Sequence, residues 1–283
     1  MALQKLMDLL RLEKVADSCF IGQNQDLGLS HIFGGQLLGQ ALSAAGQSVE
    51  AGRLAHSMHG YFLQAGDLAQ PVEYRTQLLR EGRSFSLVNV DAMQGEQVIF
   101  RAMISFQGAE QGFEYQAEMP QVDPPEQLIS EDLLLQKLAE KLPLELQQKF
   151  SQPRPFDVRV KYANNPFFGQ KLPAEQVVWA KANGEVADPQ MQQCLFAYFS
   201  DFHSLPTALH PHARGFLQPK MRIASLDHSI WFHRPIDFNQ WLLCAVENRS
   251  ASNARGFVRG EAFDSTGNLV ASYAQEGLIR EER

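Results

Sequence analysis

The second half of the chain echoes the first, and a chain that repeats itself in this way folds as two copies of one unit. His228-Ser229-Ile230 resembles His56-Ser57-Met58 at a separation of 172 positions. The same shift, without gaps, sets Arg83 on Arg255, Phe85 on Phe257, Gly95 on Gly267, Val98 on Val270 and Ala102 on Ala274. Isolated matches at one offset arise by chance, but a series of them spread from His56 to Ala102 does not. The length of 283 residues agrees, since single domains usually run to ~100–200 residues.

Each copy shows the same pattern of elements. In the first, a buried-type helix over 35–48 follows Gly34-Gly35 and is built largely of small and apolar residues, which let a sheet approach closely. Strands are predicted at 55–63, 71–80, 84–92 and 97–107, with a short one at 20–23 before the helix. In the second, strands at 157–162 and 175–183 precede a helix at 188–200, with Asp188 as N-cap and Pro189 in its first turn. Strands at 221–234, 240–249, 254–264 and 268–279 complete the copy. A helix followed by antiparallel strands is an α+β pattern, a sheet wrapped on a helix. We therefore expect an N-terminal domain at 1–107, a proline-punctuated linker at 108–156 with short helices near 126–140 and 142–150, and a C-terminal domain at 157–283.

Composition excludes several classes. An apolar fraction of 45% with 20% charged residues is ordinary for a soluble globular protein. Apolar runs stop well short of the ~18–20 residues that span a bilayer. The first residues, Met1 to Asp17, read as a short amphipathic helix and not a secretory signal, so cytoplasm is the expectation. A net charge of −7 argues against a nucleic-acid surface. Cys19, Cys194 and Cys244 have neither metal nor disulfide spacing and read as small core residues.

The chain has no Gly-x-Ser-x-Gly elbow, no Cys-x-x-Cys, no His-Glu-x-x-His and no nucleotide fingerprint. The Gly34-Gly35 pair lacks the lysine of a phosphate loop and reads as a close-packed helix entrance, although its amides could face a ligand oxygen. Three polar residues sit in apolar surroundings. Asp201 closes the run Leu195 to Ser200; it is either a partly desolvated base or an exposed charge at a fraying helix end. Ser225 and Gln275 lie within strands, where a buried hydroxyl or amide needs a partner. Taken singly, each could be structural. His56 and His228 read as structural residues at strand starts, and His203, His210 and His212 as solvated loop residues.

Five stretches carry a family resemblance: His31 to Gln36, His56 to Phe62, Asp227 to Pro235, Ser252 to Phe257, and Ala274 to Gly277. In order and along essentially the whole chain, they resemble the acyl-CoA thioesterase II family. The resemblance implies two fused hotdog domains, each a long helix wrapped by an antiparallel β-sheet. It implies hydrolysis of medium- or long-chain acyl-CoA by a water held between Asp201, Ser225 and Gln275, with no covalent intermediate and no cofactor. Many members have threonine where this chain has Ser225, which keeps the hydroxyl but is stiffer at χ1. Substrate contacts are expected at His56, Gly35 and Arg255, with Arg214, Arg234 and Lys220 as further candidates for the anionic CoA. The first copy has Arg53 and Met103 at 172 positions before Ser225 and Gln275, so one active site per chain is expected, and homo-oligomers are common in such folds. The alternatives are a hydratase or dehydratase using His56 or His228, and a non-catalytic acyl-CoA-binding protein.

Overall fold

The computed structural model describes residues 1–140, 147 and 152–282. The predicted helix at 142–150 lies outside those residues except at one position. The first half comprises α1 (Ala2–Leu10), β1 (Glu13–Ala16), β2 (Cys19–Gly22), α2 (Gly34–Gly46), β3 (Leu54–Phe62), β4 (Val72–Glu81), β5 (Phe85–Gln94) and β6 (Gln97–Gln107). After β7 (Ile129–Ser130) and α3 (Glu131–Ala139) come β8 (Phe156–Val160), β9 (Glu175–Ala182), α4 (Pro189–Ser200) and α5 (Ser204–Leu209). The chain ends in β10 (Met221–Ser225), β11 (Asp227–Phe232), β12 (Leu242–Ser252), β13 (Arg255–Phe263) and β14 (Leu269–Glu281).

All fourteen strands join in one antiparallel sheet, ordered β1-β2-β4-β5-β6-β3-β11-β14-β13-β12-β9-β8-β7, with β10 also on β14. Reading outward from the β3–β11 junction, the two halves follow the same order. Strand pairing across that junction (Met58 opposite Ile230, Tyr61 opposite Asp227) fuses the two halves into a single sheet. Inside it, α2 packs on β3 to β6 and lies beside α4. Helix α2 is buried from Gly35 to Ala45, as its small residues require. Phe196 of α4 meets the rings of Phe232, Phe238 and Tyr273, which anchors it under the second half of the sheet. Buried glutamines serve as backbone anchors: Gln193 both donates to and accepts from Ala55, and Gln40 donates to Leu9 and Gln23 carbonyls.

The repeat is present, but its register differs from the expected 172. The bulge between Leu78 and Arg80 on β4 recurs between Asn248 and Ser250, and the one between Ala92 and Met93 recurs between Ala262 and Phe263, each 170 positions on. The irregularity between Ala55 and Ser57 likewise matches the break that splits the expected 221–234 strand into β10 and β11 at Leu226. His56 therefore corresponds to Leu226 and not to His228.

The expected linker is more than a spacer. Gln116 exchanges hydrogen bonds with Gly267 and Leu269, and Trp179 donates its indole N–H to the Asp123 carbonyl. Met119, Val122 and Leu128 pack on a small apolar cluster around Trp179, Leu243 and Phe263. The expected 126–140 helix begins later: β7 first pairs with β8, and the Ser130 hydroxyl then caps α3 by accepting from Leu133 N–H. Of the cysteines, Cys194 and Cys244 are buried, while Cys19 is only partly covered on β2.

Candidate active site

Helix α2 begins at Gly34 with no side-chain cap of its own; Phe33 precedes it in extended backbone. Its first amides therefore lack local partners. One is satisfied from the other half of the molecule, where the Gly35 N–H donates to Asp201 Oδ2 at 2.9 Å. The two glycines make this approach possible. A Cβ on Gly34 would lie 2.7 Å from Asp201 Oδ2, and one on Gly35 would lie 2.3 Å from the Tyr198 carbonyl oxygen.

Asp201 is the C-cap of α4, just past Ser200, and is 8% exposed, so the fraying-end reading does not hold. Its other oxygen, Oδ1, accepts from Gln275 Nε2 at 2.7 Å. Gln275 is fully buried on β14, on the inward side shared with Ala271 and Tyr273. Its Nε2 also donates to Ser225 Oγ at 2.8 Å, at the end of β10. The break at Leu226 matters here, because it ends β10 at Ser225 and lets β11 restart in pairing with β3. Three residues spread over 75 positions thus meet within hydrogen-bond distance.

The electrostatics oppose one another. Burial raises the Asp201 carboxyl, while hydrogen bonds from Gln275, Gly35 and Ser225 lower it; burial prevails and the group sits at about 6. It is therefore ionised at neutral pH yet far more basic than a surface aspartate.

Two of the three, Asp201 and Ser225, border a cavity of about 650 Å³, with Gln275 behind them, a volume within the range of small-ligand sites. Gly34, Asp201 and Ser225 line it, together with His31 and Phe33 from the approach to α2. Its apolar wall includes Leu134, Leu135 and Leu138 of α3, and Phe216, Leu217 and Ile223. His203 and His210, expected to be solvated, are covered instead. His203 lines the cavity, and the His210 Nδ1 sits 3.2 and 3.1 Å from the Pro173 and Glu175 carbonyls. His212 is exposed.

Of the expected substrate contacts, only Gly35 is in the site. His56 bonds Ser105 Oγ at 2.8 Å and stands against Phe85, away from the cavity. Arg255 pairs with Glu276 at 2.9 Å, Arg214 with Glu281 at 3.0 Å, and Arg234 donates to the Leu269 carbonyl; neither these nor Lys220 line the cavity. The sequence reading missed the wall from α3, whose leucines fall at helical spacing in the stretch taken for linker. It also missed Ser200 and His228 behind Gln275. Among the described residues no three His, Cys, Asp or Glu side chains converge as metal ligands, and no helix is long and apolar enough to cross a membrane.

Comparison with known proteins identifies the family. Residues 145–278 match the family model described as acyl-CoA thioesterase, and residues 23–107 match the acyl-CoA thioesterase N-terminal domain. The chain is 52% identical over 279 residues to acyl-CoA thioesterase 2 of Haemophilus influenzae, covering 98% of each. It is 36% identical over 281 residues to human acyl-coenzyme A thioesterase 8, covering 96% of this chain and 87% of that one. A crystal structure of an acyl-CoA thioesterase II from Mycobacterium marinum superposes with a TM-score of 0.79 at 31% identity over 98% of both chains. With family models covering both halves and full-length relatives well above 30% identity, the chain belongs to the acyl-CoA thioesterase family, in the double-hotdog fold.

Proposed function

We propose that the protein hydrolyses medium- and long-chain acyl-CoA with a water held by Asp201, Ser225 and Gln275. The observation that carries the reading is a buried carboxylate, both of whose oxygens are fixed by hydrogen bonds, in the wall of a largely apolar cavity.

The hydrogen-bond directions assign roles. Gln275 Nε2 spends its two N–H groups on Asp201 and Ser225, so Ser225 Oγ is an acceptor there, and its own proton, which Asp201 draws on, turns to the water when one is bound. A water that accepts from Ser225 and donates to Asp201 keeps a lone pair for the thioester carbonyl carbon. As that C–O bond forms, the water proton passes to Asp201, whose pKa of about 6 suits a base at neutral pH. The negative charge develops on the carbonyl oxygen. The Gly34 amide, at the start of α2 and engaged by no backbone acceptor among the described residues, would receive it. Collapse breaks the C–S bond, and the departing thiolate takes the proton back from Asp201. No nucleophilic side chain is needed, because a thiolate leaves readily.

The acyl chain would lie along the wall formed by α3, Phe216 and Ile223. The CoA phosphates would compete with Glu276 and Glu281 for Arg255 and Arg214. The hydratase reading needed His56 or His228 beside an acid. His56 lies outside the cavity, and His228 faces Ser200 with burial holding it at about 4. Cytoplasmic residence and a homo-oligomer belong to the same proposal. Release of free CoA thiol from saturated acyl-CoAs of graded length tests it. Wild-type release that disappears in Asp201→Asn supports the base, and equal release by both proteins would overturn that assignment.

A further inference from the structure

Five buried side-chain atoms among the described residues lack a hydrogen-bond partner, and two of them are His228 Nδ1 and Gln275 Oε1. Such orphans are rare in folded proteins and call for an explanation. These two belong together. Ser229 pairs with Ala274 across β11 and β14, so His228 and Gln275 are the next rung of that ladder. Both are fully buried, hence on the same inward face. The other ring nitrogen, His228 Nε2, lies 2.9 Å from Ser200 Oγ, one residue before Asp201. The ring is stacked on Tyr273 at an interplanar angle of 10° and has little room to turn.

The protonation pattern follows from the donors available. Asp201 is only an acceptor, so Gln275 must point its Nε2 at Asp201 and Ser225, which leaves Oε1 facing His228. Oε1 is an acceptor and needs a donor. We infer that His228 is a positioning residue, neutral and protonated on Nδ1, which donates to Gln275 Oε1 and so holds the amide the right way round. His228 Nε2 then accepts from Ser200, whose hydroxyl otherwise turns to the Ala197 carbonyl at 3.0 Å. With the ring in the other tautomer, Nδ1 would set a lone pair against Oε1. Relief by rotating the amide would put Oε1 against Asp201 and draw the Ser225 proton away from the water. A buried ring held at about 4 keeps this neutral form throughout the range in which Asp201 is ionised. The relay Ser200–His228–Gln275 thus decides which groups at the water are donors.

The inference rests on the proposed role of Gln275, and the tests separate the two. The first needs no activity: ¹⁵N NMR of the wild-type histidines, with His228 assigned by its loss in His228→Asn, should show a protonated Nδ1 and a bare Nε2. A protonated Nε2 overturns the inference whatever the enzyme does. The second uses kcat and KM on acyl-CoA. His228→Phe keeps the stack on Tyr273 but removes the donor, and should lower kcat about 10–100-fold with KM within about threefold, the usual scale for a partner that orients a catalytic group. His228→Asn, whose amide can donate from nearly the Nδ1 position, should recover most of that loss. In a Gln275→Ala background the His228→Phe change should cost nothing further; an undiminished additional loss would show that His228 acts elsewhere. Full activity in Gln275→Ala alone would instead sink the role given to Gln275.

Discussion

The backbone N–H of Gly35 and the Oδ2 of Asp201 meet at 2.9 Å across 166 positions of sequence. One carboxylate thereby caps the main helix of the opposite half while it faces the cavity. Capping at a helix N-terminus favours the charged form, yet burial is stronger, and the group ends as a moderately strong base held in place. The cluster draws on both halves: the first supplies the helix start and the second supplies Asp201, Ser225 and Gln275.

That contact depends on the absence of a side chain at position 35. Gly35→Ala would place a Cβ 2.3 Å from the Tyr198 carbonyl and 2.5 Å from the Phe33 ring, and backbone on a packed helix cannot yield cheaply. Overpacking of this kind costs about 1–3 kcal/mol. The variant should therefore melt earlier in chemical denaturation, and it should lose kcat beyond what its folded fraction explains. Wild-type kcat in a protein of reduced stability would show that the Gly35–Asp201 contact is structural only.

The pH profile follows from the same carboxylate. Only the ionised form can take a proton from water. With the group at about 6, kcat/KM should be flat above neutrality and fall about tenfold per pH unit below the apparent pKa. A midpoint near 4, the ordinary aspartate value, would mean that another group is titrating.

Stability carries the opposite sign. In the unfolded chain the group returns to the ordinary value of 3.8, whereas in the folded protein it sits at about 6. Between those values the folded state binds more protons, so its contribution to stability falls as pH rises, by roughly 2–3 kcal/mol in all as an upper estimate. Asp201→Asn has no such titration. Relative to wild type, the variant should gain stability between pH 4 and pH 7, measured as the difference in denaturation midpoints at each pH. A difference that stays constant would contradict the burial account.

Ser225 tests the hydroxyl by itself. Ser225→Ala leaves Gln275 Nε2 with one partner fewer and removes the donor to the water, and should reduce kcat about 10–100-fold at similar KM. Ser225→Thr restores the hydroxyl with a stiffer χ1 and should hold wild-type activity or exceed it. Loss in Thr equal to that in Ala would point to packing at β10 and not to hydrogen bonding.

Much of this was legible in the chain because amphipathic period and turn residues mark elements well. Asp188 caps α4 as expected, and the predicted strands fall within a few residues of their observed ends, but the helix read over Met1 to Asp17 stops at Leu10 and gives way to β1, and β7 stands where a helix was expected. The repeat was legible as a fact but not in its register. Side chains alternate with period two along a strand, so shifts of 170 and 172 preserve the same inward face. Only the bulges, which leave no reliable mark in sequence, distinguish them. After the turn at Gly267 the shift becomes 171, and Gln275 corresponds to Ile104, which is likewise buried, rather than to Met103, which is exposed. The cluster of Asp201, Ser225 and Gln275 could be named from family resemblance, while each residue's own context left it ambiguous. His228 was unreadable, because its role is set by a cross-strand neighbour 47 positions away.

The segment between the halves offers the last prediction. Its prolines mark it as linker in the sequence, but α3 places Leu134, Leu135 and Leu138 along the cavity. If the acyl chain runs along this wall, its length is measured against α3. Burying one methylene is worth about 0.8 kcal/mol, or roughly a factor of 4 in kcat/KM. Leu134→Trp fills space equal to roughly two or three methylenes. It should therefore cut kcat/KM for the longest accepted acyl-CoAs by roughly 15–60-fold and leave short chains nearly unchanged. Leu133, on the opposite face and 57% exposed, provides the control, since Leu133→Trp should leave the profile as it is. The decisive quantity is the ratio of kcat/KM between long and short substrates in the two variants. Equal ratios would mean that the acyl chain leaves Asp201 in another direction, and α3 would then be a cover for the core and not a gauge of length.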